Sequence, residues 1–106
     1  MPNYLWSATY TAEGARGVQK EGGSKRRDTI EQFVTKAGGK LHAFYFAVGK
    51  DDVYIIAEFP DAASAVAVSL AVNASGAVRL RTTVLLTPEE MDAVAKKNVS
   101  YRAPGA

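Results

Sequence analysis

The chain has 106 residues, 47% hydrophobic and 23% charged, with a formal net charge of +2. That length suits one domain around one layered core, and the composition is globular rather than disordered. There is no cysteine, which excludes disulfides, thiolate metal sites and a cysteine nucleophile and fits a reducing compartment.

In chain order, Tyr4 to Thr11 reads as a first strand. Tyr4, Trp6, Ala8 and Tyr10 point one way, and Leu5, Ser7, Thr9 and Thr11 the other. The same stretch, MPNYLWSATY, lacks the charged-then-apolar pattern of a signal peptide. Ala12 to Lys20 has helical character weakened by Gly14 and Gly17. After EGGS, Ser24 is placed to cap a fresh helix in which Ile30, Phe33, Val34 and Ala37 form one stripe, closed by Gly38-Gly39. The only basic cluster, Lys25-Arg26-Arg27, opens that helix and is followed by Asp28 and Glu31. A nucleic-acid binder carries a broader basic stripe, so the cluster reads as a solvated helix start.

Two strands follow, Lys40 to Val48 and Asp52 to Phe59, joined as a hairpin through Gly49-Lys50-Asp51. Pro60 stops the second, and Asp61 caps a helix that runs to about Asn73. Val78 to Leu86 is the last strand. Thr87-Pro88-Glu89-Glu90 then opens a short helix with a capping box, and Tyr101 to Ala106 reads as a tail. No apolar run approaches the ~20 residues that span a bilayer. A soluble, cytoplasmic protein without a nucleic-acid or membrane partner is expected.

The order β-α-β-β-α-β with an appended helix is the ferredoxin-like α+β arrangement, with both main helices on one face of an antiparallel 4-1-3-2 sheet. The other face is left bare. Strands two and three alternate apolar residues onto both faces, with Leu41, Ala43, Tyr45 and Ala47 opposed to Phe44, Phe46 and Val48, and Val53, Ile55 and Ala57 opposed to Tyr54 and Ile56. A sheet with one side in water alternates polar and apolar more cleanly. The helix DAASAVAVSLAVNASG is also apolar nearly all round. Both features predict that the chain associates with further copies of itself, as a dimer or higher oligomer.

Tracing the strands gathers the hairpin, the end of strand one and Arg79 at one end of the sheet. Arg79 and Arg81 share a face with Thr83 and Leu85. With Tyr10, Tyr45, Asp52 and Tyr54 they form the candidate ligand-binding set for a small anion or aromatic metabolite. The competing expectation is that these arginines pair with carboxylates, Arg79 with Asp52 or Arg81 with another, within an oligomer. Asp51 and Asp52 point apart in extended chain, which makes them poor acid–base machinery, and Asp52 is expected to bond the turn's own amides. His42, the only histidine, is expected to share a face with Phe44 and Phe46 and lacks partners for a metal. Glu58, on the face of Tyr54 and Ile56, is with His42 the candidate acid or base. Neither a cofactor nor a metal is expected. The loop TAEGARGV matches no phosphate-binding fingerprint, strand DVYIIAEF lacks the basic-aromatic RNA-binding pattern, and strand two lacks the asparagine of acylphosphatase-like hydrolysis.

The segments YTAEG (10–14), GGKLHAFYFAVGKDD (38–52), AEFPD (57–61), SGAVRLRT (75–82) and TPEE, in that order and spacing, resemble the GYD-domain family of small dimeric α/β barrel proteins. Asp51 stands where the family usually has tyrosine, and Arg81 where an acidic residue is common. The resemblance implies a ferredoxin-like domain over residues 1–97, associating through its sheet, with 98–106 as a tail. Proteins of that architecture include cofactor-free monooxygenases, isomerases and ligand-sensing domains. The reading that follows is an oligomeric module that binds or senses a small metabolite near its interface. The alternative is a cofactor-free enzyme, monooxygenase- or isomerase-like, acting on a small aromatic or carbonyl compound.

Overall fold

The computed structural model describes residues 1–106. The elements run β1 (Asn3–Tyr10), α1 (Ala12–Glu21), α2 (Gly23–Lys36), β2 (Lys40–Phe46), β3 (Val53–Glu58), α3 (Ala62–Ala74), β4 (Val78–Leu85) and α4 (Pro88–Ala95). The four strands form one antiparallel sheet in the order β2-β3-β1-β4. This is the expected α+β, ferredoxin-like arrangement, read from its other edge.

Strict alternation in β1 and β3 builds the core. Tyr4, Trp6 and Ala8 on β1 and Val53, Ile55 and Ala57 on β3 are all buried, and they pack with Ile30 and Val34 of α2 and Ala65 and Val68 of α3. Phe59 closes one end, with its ring centre 5.4 Å from that of Trp6 and 6.0 Å from that of Tyr4. Tyr54 and Ile56 therefore lie on the opposite face, across from Ser7 and Leu5.

Local chemistry sets the helix ends. Thr11 Oγ1 accepts from Gly14 N, Asp61 Oδ1 accepts from Ser64 N at 2.8 Å, and Thr87 and Glu90 complete a reciprocal capping box. Gly14 has a second reason to be glycine: a Cβ there would overlap the Ala77 carbonyl oxygen, where α1 presses on the start of β4. The start of α2 differs from expectation. Gly22 adopts φ 84°, breaks α1, and lets α2 begin at Gly23 without a side-chain cap, so Ser24 lies inside the helix.

The hairpin is also looser than the sequence suggests. β2 ends at Phe46, and residues 47–52 connect it to β3. A bulge at His42 adds a further correction, because Leu41 pairs with Ala57 while Ala43 pairs with Ile56. Leu41 consequently packs toward the core with Phe44, while Ala43 and Tyr45 stay on the open face. His42 is displaced from the face of Phe44 and Phe46, and its Nε2 sits 3.5 Å from Glu58 Oε2.

Two surfaces remain uncovered. On the open face Tyr45 is 70% exposed, beside the partly exposed Tyr54. On the outer side of α3, Val66 and Leu70 are exposed. No residue of α4 is buried. The radius of gyration is 16.7 Å, against about 13 Å for a compact chain of this length.

Candidate functional site

The end of the sheet at the β2–β3 connection concentrates the polar chemistry. Asp51 is only 5% exposed, and three groups converge on its carboxylate. Arg81 Nη2 donates to Oδ1 at 2.7 Å and to Oδ2 at 2.9 Å, and the Tyr54 hydroxyl donates to Oδ2 at 3.0 Å. The Thr9 hydroxyl adds a longer contact of 3.4 Å. Burial pushes the Asp51 carboxyl up, but the Tyr54 hydrogen bond, the Arg81 charge and hydrogen bond, and Thr9 together outweigh it. The carboxyl is held below its usual range. In return, the bond to Asp51 pushes the Tyr54 phenol above its ordinary value, with burial adding to the effect. An ionised carboxylate with three donors is a fixed counter-ion, not a base in waiting.

Asp52 works on the neighbouring strand. Its Oδ2 accepts from the Tyr10 amide at 2.9 Å, and its own amide donates to the Ala8 carbonyl at 2.8 Å. The acidic doublet thus splits, one residue on a side-chain cluster and the other tying down the end of β1. The expectation that Asp52 satisfies the turn's own amides is corrected: its partner is 42 residues away in sequence.

Arg81 makes the carboxylate pair expected of it, within a single chain and with Asp51. Its side chain remains 60% exposed. Arg79 and Lys50 belong to no ion pair. With Thr9, Asp51 and Arg81 they line an open hollow of about 410 Å³ at the edge of β4. Three cations thus surround one carboxylate that is already engaged.

The sequence-derived set does not gather in one place. Tyr54 and Arg81 meet at Asp51, and Arg79 sits beside them. Tyr45 lies across from Tyr54 on the open face. Tyr10 points to the helix side, where it packs against the core. His42 and Glu58 face each other at the far end and line none of the three main hollows. The residue that sequence reasoning set aside was Asp51. The usable signal was Arg81, a cation on a strand that required a carboxylate.

The GYD domain family model matches residues 4–95, from β1 to the end of α4. No curated protein and no solved structure matches the chain. In sequence over nearly its whole length, and in a fold consistent with that match, the chain belongs to the GYD-domain family.

Proposed function

We propose that the protein is a self-associating module that pairs through its open sheet face and holds a small anionic metabolite at the rim of that interface. The observation that carries this reading is the shortage of core. Only 14 of 106 residues are buried, the open face carries Leu5, Ala43, Tyr45, Tyr54 and Ile56 without a cover, and α4 touches little of its own chain. A second copy laid on the sheet hides that area and gives α4 a surface to meet.

The cations at one end of the same face supply the binding chemistry. Asp51 neutralises one of Arg79, Arg81 and Lys50, and the surplus positive charge favours a carboxylate or phosphate group. A sheet dimer would lower the local dielectric around them and strengthen that attraction. The cysteine-free composition is compatible with a cytoplasmic setting. No helix is long and apolar enough to cross a membrane.

The enzyme alternative rests on Glu58 and His42. These two occupy each other rather than a hollow, so no observation favours that reading over binding. Native mass spectrometry of protein purified without denaturation tests the proposal. A dimer or higher oligomer retaining a small anion is expected, and a bare monomer would overturn it.

A further inference from the structure

The hollow beside Asp51 has a donor pattern more specific than surplus charge. Arg81 reaches both Asp51 oxygens through Nη2 alone. The N–H groups of its Nε and Nη1 therefore lie outside that pair, on a side chain that stays 60% exposed. Tyr54 and Thr9 also donate to the same carboxylate, so the guanidinium is anchored to a fixed point at the wall of the hollow.

The side-chain acceptors around this hollow are already engaged. Asp51 takes the Arg81, Tyr54 and Thr9 donors. Asn73 Oδ1 accepts from the Leu80 amide at 2.7 Å, and its Nδ2 donates to the Leu80 carbonyl at 3.2 Å. What remains unengaged is cationic: Lys50, Arg79 and the outer N–H groups of Arg81. Three cations against one carboxylate leave the lining with a net charge of +2. Leu80 is the only apolar member of the lining, so an aromatic or alkyl body finds no cover there. The volume of about 410 Å³ leaves room for a small polar body beside the anionic group.

Resting on the anion reading above, we infer that the ligand's anionic group is a phosphoryl dianion, held by the outer N–H groups of Arg81 together with Arg79 and Lys50, and that any body it carries is small and hydroxylated. The two charges of a phosphoryl group balance the hollow, and its terminal oxygens offer an acceptor to each cation. A monocarboxylate leaves one charge unbalanced. One chain supplies every group, so the site does not need the pairing surface to be complete.

Calorimetric titration at low salt and about pH 7.5, where a phosphate ester is dianionic, compares glycerol 3-phosphate, inorganic phosphate, glycerate and benzoate. Glycerol 3-phosphate is expected to bind about tenfold or more tighter than glycerate, a similar polar body with a single charge, and benzoate is expected to bind no better than glycerate. An ester that binds tighter than inorganic phosphate identifies an esterified ligand, and equal binding identifies free phosphate; both support the dianion. Arg81→Lys keeps a cation for Asp51 but not the second donor edge, and it is expected to weaken the phosphate about tenfold, as is Arg79→Gln. Arg26→Gln, on the helix side, is expected to change nothing. The hollow holds no histidine, and its carboxylate lies below the usual range. Affinity that falls toward about pH 5.5 therefore reports protonation of the phosphate, whose second ionisation lies near pH 6. Binding is expected to persist in the Ile56→Arg protein, so a failure of pairing does not register as a failure here. Glycerate that binds as tightly as the phosphate, and weakens with the same substitutions, overturns the dianion while leaving an anion site in place. No saturable binding of any of the four overturns both. Phosphate binding unaltered in both Arg81→Lys and Arg79→Gln also overturns the inference.

Discussion

Placing an arginine at Ile56 tests whether the open sheet face is an interface. Ile56 is in register with Leu5 on β1 and Ala43 on β2, in the middle of the uncovered apolar strip. Sheets packed face to face lie about 10 Å apart, so a guanidinium on one sheet reaches the partner's side chains instead of water. The carboxylate two residues along on the same face, Glu58, contacts His42 at 3.5 Å, and an ion pair drawn from it would itself have to be held inside the seam. An unpaired charge in a dry seam costs about 3 kcal/mol or more, and two copies carry it across a two-fold axis. The dissociation constant should weaken by a factor of about 100 or more. The lone chain loses little, because the side chain is only partly buried and its burial does not involve the core. Sedimentation velocity over a dilution series, with far-UV circular dichroism as the check on folding, reads both effects. Wild type should sediment as an oligomer and the variant as a folded monomer. Leu70→Arg, on the exposed side of α3, should leave sedimentation unaltered. Unchanged sedimentation of Ile56→Arg, or dissociation caused by Leu70→Arg instead, refutes the placement of the interface.

Three further outcomes are expected. Gly14→Ala forces a methyl group into the Ala77 carbonyl and should destabilise the fold by about 1–3 kcal/mol, seen as a lowered melting temperature of about 4–8 °C per kcal/mol; an unchanged melt would mean that α1 does not press on β4. Folding lowers the Asp51 carboxyl below its usual range, so its ionised form contributes stability above the unfolded carboxylate value of about 4 and loses it as pH falls through the folded one. The melting-temperature gap between wild type and Asp51→Asn should therefore be constant near neutrality and close in acid, and a gap that persists at about pH 2 contradicts the ion cluster. Thr87→Ala removes the cap of a helix with no buried residue, so it should cost that helix about 1 kcal/mol and speed amide exchange from Met91 onward while leaving the global melt of the monomeric Ile56→Arg protein in place; a several-degree fall would show that α4 is packed on its own chain.

The sheet and its helices were legible because their signals are local. Alternation in YLWSATY and in VYIIAE gives two central strands, and Asp61 and Thr87 cap helices three residues ahead of the amides they accept from. What escaped the sequence depends on partners far along the chain. The His42 bulge has no compositional mark, yet it moves Leu41 to the core side and brings His42 to Glu58.

Asp51 and Asp52 show why a doublet read as a turn becomes the hub of the sheet's end. One peptide unit apart, they serve different customers: Asp51 takes the Arg81, Tyr54 and Thr9 donors, and Asp52 takes the amide of Tyr10. Thr9 and Tyr10 are themselves neighbours on β1, the first lining the hollow at the edge of β4 and the second packed on the helix side. Both carboxylates are consumed by internal bonds, so neither can neutralise an incoming ligand's counter-charge or abstract its proton. The positive side chains left over at this end, Lys50 and Arg79, then belong to no ion pair. By that charge balance, oxygen-bearing anions are the ligands to try first at this end of the open face.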